Sequence, residues 1–127
     1  WSGLAFESVC QKHVTQIRRR LGIEGVLTSA SAWRFAPGKE AQGAQIDLLL
    51  DRQDRCINIC EMKFAGGEFI IDKKYAAELD NKLNVFRAAT NTRKTLFATM
   101  ITTYGTRRNE HFLGRIQAEV LMEDLFV

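Results

Sequence analysis

Two short runs carry most of the chemical potential of this chain: Gln45-Ile46-Asp47 opens one apolar stretch, and Glu61-Met62-Lys63 closes the next. If the two stretches are adjacent strands, each delivers an acid to the same edge of a sheet, with a lysine beside the second acid. Residues two apart in a strand share a face and lie about 6 to 7 Å apart, so Glu61 and Lys63 point one way and Met62 the other. Ile57 and Ile59 share the parity of Glu61 and Lys63. That face is therefore apolar until it turns charged, and a buried charge needs a partner or a metal. Carboxylates from two strands beside an ammonium group suit a divalent cation and a phosphate.

Each residue also has a plainer reading. Asp47 alone is a common strand-end residue, and Glu61 with Lys63 could form an exposed ion pair worth less than about 1 kcal/mol. Gln45 shares the parity of Asp47 and suits either a metal-bound water or phosphate, or a satisfied strand-end amide. Tyr75 and Lys82 lie seven apart on one side of the second helix, beside Leu79 and Leu83, placed to reach a substrate backbone or to cap the core. Arg18-Arg19-Arg20, Lys73-Lys74, Arg93-Lys94 and Arg107-Arg108 supply basic patches of the kind a nucleic acid needs, although charge runs also occur as solvated faces. Lys73 and Lys74 come first among them, because they open the helix just after the acid-bearing strand. The polar Tyr104-to-His111 segment is a candidate substrate loop. No role is assigned to His13 or His111.

The elements that must position these residues follow from periodicity. Phe6, Val9, Cys10, His13, Val14, Ile17 and Leu21 recur at helical spacing and predict a first helix over about residues 4 to 21, ended by Gly22. A strand is expected over 25 to 35, then a mobile loop from Pro37 to Gly43. Ala44 to Asp51 and Cys56 to Phe64 form two strands joined by Arg52-Gln53-Asp54-Arg55, short enough for an antiparallel hairpin. A second helix over about 71 to 90 sets Tyr75, Leu79, Leu83 and Phe86 on one stripe. A buried strand is expected over Lys94 to Thr102 and a last strand over Arg115 to Met122.

Composition bounds the function classes. At 127 residues, 46% hydrophobic and 26% charged, the chain is expected to form one globular domain rather than a disordered or fibrous segment. No apolar run reaches the roughly 18 residues needed to cross a bilayer, and no signal-peptide pattern opens the chain, so a cytoplasmic address without a membrane partner is expected. The start at Trp1 without an initiator Met implies a piece of a longer polypeptide. A net charge of +3 neither demands nor forbids a polyanionic partner. The three cysteines, odd in number, read as reduced, buried structural thiols.

The order of helix, three-stranded meander, crossover helix and strand resembles the core of the PD-(D/E)XK nuclease superfamily. Asp47 on the second strand, Glu61-Met62-Lys63 on the third and Glu7 on the first helix stand where that fold carries its motif. More narrowly, the chain resembles the C-terminal domain that follows an ATPase module in predicted prokaryotic AAA-type ATPases. That resemblance runs from Phe6-Glu7 through QIDLLLDR, CEMKF and the Tyr75/Leu79/Lys82 helix to Leu125-Phe126. One departure is Ile46, which precedes Asp47 in place of proline.

The resemblance implies an α/β fold with a restriction-endonuclease-like αβββαβ core, a central mixed sheet flanked by helices. Residues 1–127 would then form a single nuclease-like domain at the C-terminal end of a longer ATPase chain. It implies Mg²⁺- or Mn²⁺-dependent hydrolysis of nucleic-acid phosphodiesters, with DNA the expected substrate. Asp47, Glu61, Glu7 and the Met62 backbone carbonyl would hold the metal, and Lys63 would orient the attacking water and offset oxyanion charge. Gln45, Lys73, Lys74, Tyr75 and Lys82 would contact the substrate. The expected partners are nucleic acid, the upstream ATPase module and a second copy of the chain for cutting both strands. The alternative is a catalytically silent module of the same fold that binds nucleic acid or a partner and regulates the attached ATPase.

Overall fold

Buried runs too long for simple alternation, Leu48-Leu49-Leu50 in one strand and Ile57 to Met62 in the next, mark a sheet covered on both faces. The computed structural model describes residues 2–38 and 43–127. Part of the expected Pro37-to-Gly43 loop therefore lies outside the described residues, as does Trp1. In chain order the elements are α1 (Gly3–Lys12), α2 (Val14–Arg20), β1 (Thr28–Phe35), β2 (Ala44–Arg52), β3 (Cys56–Lys63), α3 (Lys73–Thr90), β4 (Thr95–Thr102), α4 (Glu110–Leu113), β5 (Ile116–Leu121) and a terminal 3₁₀ turn (Met122–Phe126). The five strands lie in sequence order. β1, β2 and β3 form an antiparallel meander, while β4 pairs parallel to β3 and β5 parallel to β4.

This is an α/β fold with a mixed five-stranded sheet flanked by helices. One face packs Leu48, Leu50, Cys60, Met62, Ile101 and Val120 against Phe6, Cys10 and Ile17 of α1 and α2. The other packs Ile46, Leu49, Ile57 and Ile59 against Phe86 of α3, with Trp33 edge-on to Phe86 at 5.0 Å. Burial of each such side chain contributes roughly 1.5–3 kcal/mol. Among the described residues no helix is long and apolar enough to cross a membrane.

The single helix expected over residues 4 to 21 is two. His13 leaves helical geometry at φ −119°, its Nδ1 lies 2.6 Å from the Val9 carbonyl oxygen, and its N–H donates to Cys10 in a tighter turn. A side chain competing for the carbonyl four residues back breaks the backbone ladder. Phe6, Cys10 and Ile17 still reach the same core. The segment read as a polar loop up to His111 instead ends in α4, capped by the Asn109 side chain, which accepts from the Phe112 N–H and buries Phe112. α3 starts where the Asp72 side chain accepts from the Tyr75 N–H, and it stops at Asn91, whose φ of 53° is left-handed.

A slip in the β1–β2 register was not legible. Ser31 faces Leu49 and Trp33 faces Ile46, so the single residue Ala32 is set against Asp47 and Leu48. Such an extra residue bends a strand and re-aims its side chains. Ile46 therefore joins the α3-side core while Leu48, only two residues on, joins the α1-side core.

Candidate functional site

Past Leu48↔Cys60, the last rung of the β2–β3 ladder, the two strands part. Asp47 and Glu61 are the first residues beyond that rung. From Glu61 to Lys63, β3 pairs with β4 and has no rung with β2.

Glu61 keeps the parity of Ile57 and Ile59 and so enters the apolar face under α3, where it is 8% exposed. A buried carboxylate must be matched by donors. α3 supplies them from two positions a double turn apart. The Tyr75 hydroxyl donates to Glu61 Oε1 at 3.0 Å, and Lys82 Nζ donates to Oε1 at 3.1 Å and Oε2 at 2.8 Å. Burial first, then the Glu61 charge, pushes the Tyr75 phenol far above its ordinary range, so the hydroxyl remains a donor. Lys63 turns the same way as Glu61, its Nζ 4.9 Å from the centre of the Tyr75 ring in a cation–π contact.

Asp47 sits at the bulge, half-buried, where Gln45 Nε2 donates to its Oδ1 at 2.7 Å and Gln11 Nε2 donates to its backbone carbonyl at 3.3 Å. Glu7 of α1 is half-buried, as its place on the helix wheel predicts. Its carboxyl is raised above the ordinary value by burial first and then by the Asp47 charge. Glu61 adds to the rise, while Lys63 and Lys82 oppose it. Side chains from α1, β2, β3 and α3 thus form one electrostatic neighbourhood, in which three carboxylates face two ammonium groups.

Lys74 joins this neighbourhood by lining a cleft of about 580 Å³ with Gln45, Glu78, Asn81 and Lys82. Lys73, its neighbour in sequence, turns away into another cleft lined by Asp80, His111 and Arg115. The structure thus separates two lysines that sequence reasoning treated as one patch, because successive helical positions differ by about 100°. Most other basic runs have acidic partners: Arg19 with Glu24, Arg20 with Asp124, Lys94 with Asp51, Arg107 with Glu68 and Arg108 with Glu119. Tyr104 is 62% exposed beside this ion-paired segment.

The donor set is hard oxygen, the type suited to Mg²⁺ or Mn²⁺. Asp47 has a second carboxylate oxygen outside the Gln45 hydrogen bond. Both Glu61 oxygens are engaged by α3. Among the described residues no three His, Cys, Asp or Glu side chains converge as a metal-ligand cluster.

Sequence reasoning placed Tyr75 and Lys82 on one side of their helix but did not find their common target. It also missed Asn58, 1% exposed, which accepts from Arg52 Nη1 at 3.0 Å and donates to Thr99 Oγ1 at 3.0 Å. An amide in the middle of an apolar strand was the available signal.

No protein-family model matches the chain, and no curated protein matches it. Its fold is similar to the crystal structure of a protein of unknown function, AF1548, with a TM-score of 0.57 and 14% sequence identity over 92% of this chain. The match covers 64% of that structure, so the chain spans less than two thirds of its length. At this identity the likeness shows the fold alone.

Proposed function

We propose that the domain has a restriction-endonuclease-like core and hydrolyses nucleic-acid phosphodiesters, DNA first, with Mg²⁺ or Mn²⁺. One observation carries the reading: Asp47 and Glu61 are the first residues past the last β2–β3 rung, with Lys82 and the Tyr75 hydroxyl on the Glu61 carboxylate and Lys63 over the Tyr75 ring. The resemblance to PD-(D/E)XK nucleases, and to domains attached to AAA-type ATPases, supports it from the motif side.

Asp47, Glu61 and the Met62 carbonyl would hold the cation, which when bound supplies charge for the pentacoordinate phosphorus and lowers the pKa of a water. Lys63 contributes its own positive charge. Stacked on Tyr75 beside Glu61, it is placed to orient the water and to offset charge on the phosphate oxygens. Tyr75 fixes both neighbours, holding Lys63 over its ring and Glu61 at its hydroxyl. Lys74 and Lys82 give the adjoining cleft a positive lining for a phosphate backbone.

The closed Glu61–Lys82–Tyr75 contact favours a second reading, a silent module of the same fold in which that acid is purely structural. Cleavage of labelled duplex, single-stranded and branched DNA and of RNA, with and without Mg²⁺ or Mn²⁺, separates the two. The nuclease reading expects metal-dependent cutting that is lost in Asp47→Ala and in Lys63→Ala. No cutting of any substrate, with no metal-induced change in melting temperature, would establish the silent module.

A further inference from the structure

The ammonium of Lys82 reaches both oxygens of one carboxylate in a site where the Glu61 side chain is 9% exposed and that of Lys82 23%. A carboxylate gripping a single positive centre through both oxygens, away from bulk water, presents the charge arrangement a bound metal would also take. The two cannot share it. A Mg²⁺ ion sits about 2.0–2.1 Å from its oxygen ligands, so an ammonium touching the same oxygens would face a double positive charge at contact distance.

We propose that Lys82 is the resident cation of this site: it holds Glu61 in the absence of metal and is expelled when a divalent ion enters. Metal binding is then an exchange of ammonium for metal, and Lys82 sets the metal concentration at which the site fills. The inference rests on the proposed metal-dependent reading and deepens it.

Three features fit exchange better than a fixed structural ion pair. Lys82 lines the open cleft of about 580 Å³ together with Lys74 and Gln45, so a released ammonium has room to turn toward a phosphate backbone without crossing the core. Tyr75 donates to Oε1 from a neutral hydroxyl, so Glu61 keeps its orientation after the lysine leaves. Glu7 and Asp47 add negative charge to the same neighbourhood, which a second positive charge would offset.

Mn²⁺ titration by calorimetry near neutral pH, with melting curves at each metal concentration, tests the exchange on wild type, Lys82→Met and Tyr75→Phe. Lys82→Met is expected to bind Mn²⁺ about tenfold more tightly or better, the scale of removing one close competing charge. Its melting temperature should also rise more with Mn²⁺ than that of wild type. Tyr75→Phe removes a hydrogen bond to Glu61 but no charge, so it should show no comparable gain in affinity. Lys82→Gln keeps a donor for Glu61 and replaces the Met variant if that one does not fold. Equal or weaker binding in the neutral variants, with wild type still binding, would overturn the exchange and leave Lys82 a positioning residue. A Tyr75→Phe gain as large as that of Lys82→Met would overturn charge competition. Absence of Mn²⁺ binding in every protein would remove the metal reading itself and the exchange with it.

Discussion

At the turn of the β2–β3 hairpin every acid has its own base, whereas at the open end of the same two strands three acids face two lysines. Near the turn Asp51 pairs with Lys94, whose Nζ also donates to the Arg52 carbonyl, and Arg52 binds Asp54 with two nitrogens and Asn58 with one. The Arg52 hydrogen bond holds the Asp54 carboxyl below its usual range. At the open end burial and Asp47 push the Glu7 carboxyl above its usual range. The residue types are the same and the outcomes opposite. A one-to-one arrangement asks for nothing further, while an excess of one sign keeps an affinity for something outside the chain.

The largest expected effect tests which end is chemical. Lys63→Ala should reduce metal-dependent cleavage by about 10² to 10⁴-fold, whereas Arg52→Ala, assayed well below its melting temperature, should stay within about threefold of wild type. The reverse pattern in a cleavage assay would dissolve the contrast. Next comes stability. Asn58→Ala removes the buried hydrogen bonds of this amide to Thr99 and Arg52 and should cost about 1–3 kcal/mol in urea denaturation, with cleavage preserved in the folded fraction.

The smallest effects are in pH dependence, and their signs differ. Folded Glu7 binds its proton more tightly than unfolded Glu7, so keeping it ionised costs stability above its raised pKa, and that cost fades as pH falls through the raised value and is gone below the ordinary 4.5. Glu7→Gln should therefore stabilise the fold at neutral pH, by less than about 0.5 kcal/mol in a partly solvent-screened position, with no gain left at acid pH. Asp54 has a lowered pKa. Its contribution is present above the ordinary 3.8 and lost as pH falls through the lowered value. Asp54→Asn should lower the melting temperature at neutral pH, and the difference should close in acid. Melting curves across pH that showed one sign for both residues would mean the ends are alike.

Much of this arrangement was legible in the residues. The parity of Ile57, Ile59, Glu61 and Lys63 holds in the structure because β3 is regular and both its faces are covered. The seven-residue spacing of Tyr75 and Lys82 reads correctly as one side of α3, because a capped helix keeps its period. The bulge at Asp47 was hidden, since nothing in Gln45-Ile46-Asp47-Leu48 announces that β1 contributes one residue fewer. The break at His13 depends on a ring finding the Val9 carbonyl, a choice that apolar spacing does not encode. Cys10 and Cys60 are buried as expected, with the Cys10 thiol pushed up to about 12 by burial and Glu7, but Cys56 is only half-buried because it opens β3 beside the turn. The Glu61–Lys82 contact required knowing how α3 docks across the sheet.

The connection between β2 and β3 also bears on the order in which the chain assembles. Asp47 and Glu61 belong to one antiparallel hairpin, whose closure needs only a short loop, while Lys82 lies 21 residues beyond Glu61 on a helix that docks from outside the meander. Contacts of low sequence separation tend to form first. The acids are then expected to meet in the folding transition state before their lysine arrives, which makes Lys82 a latecomer whose grip is felt mainly on the way out. Replacing it should leave the refolding rate nearly unchanged and speed unfolding, a division that stopped-flow chevron plots would read directly.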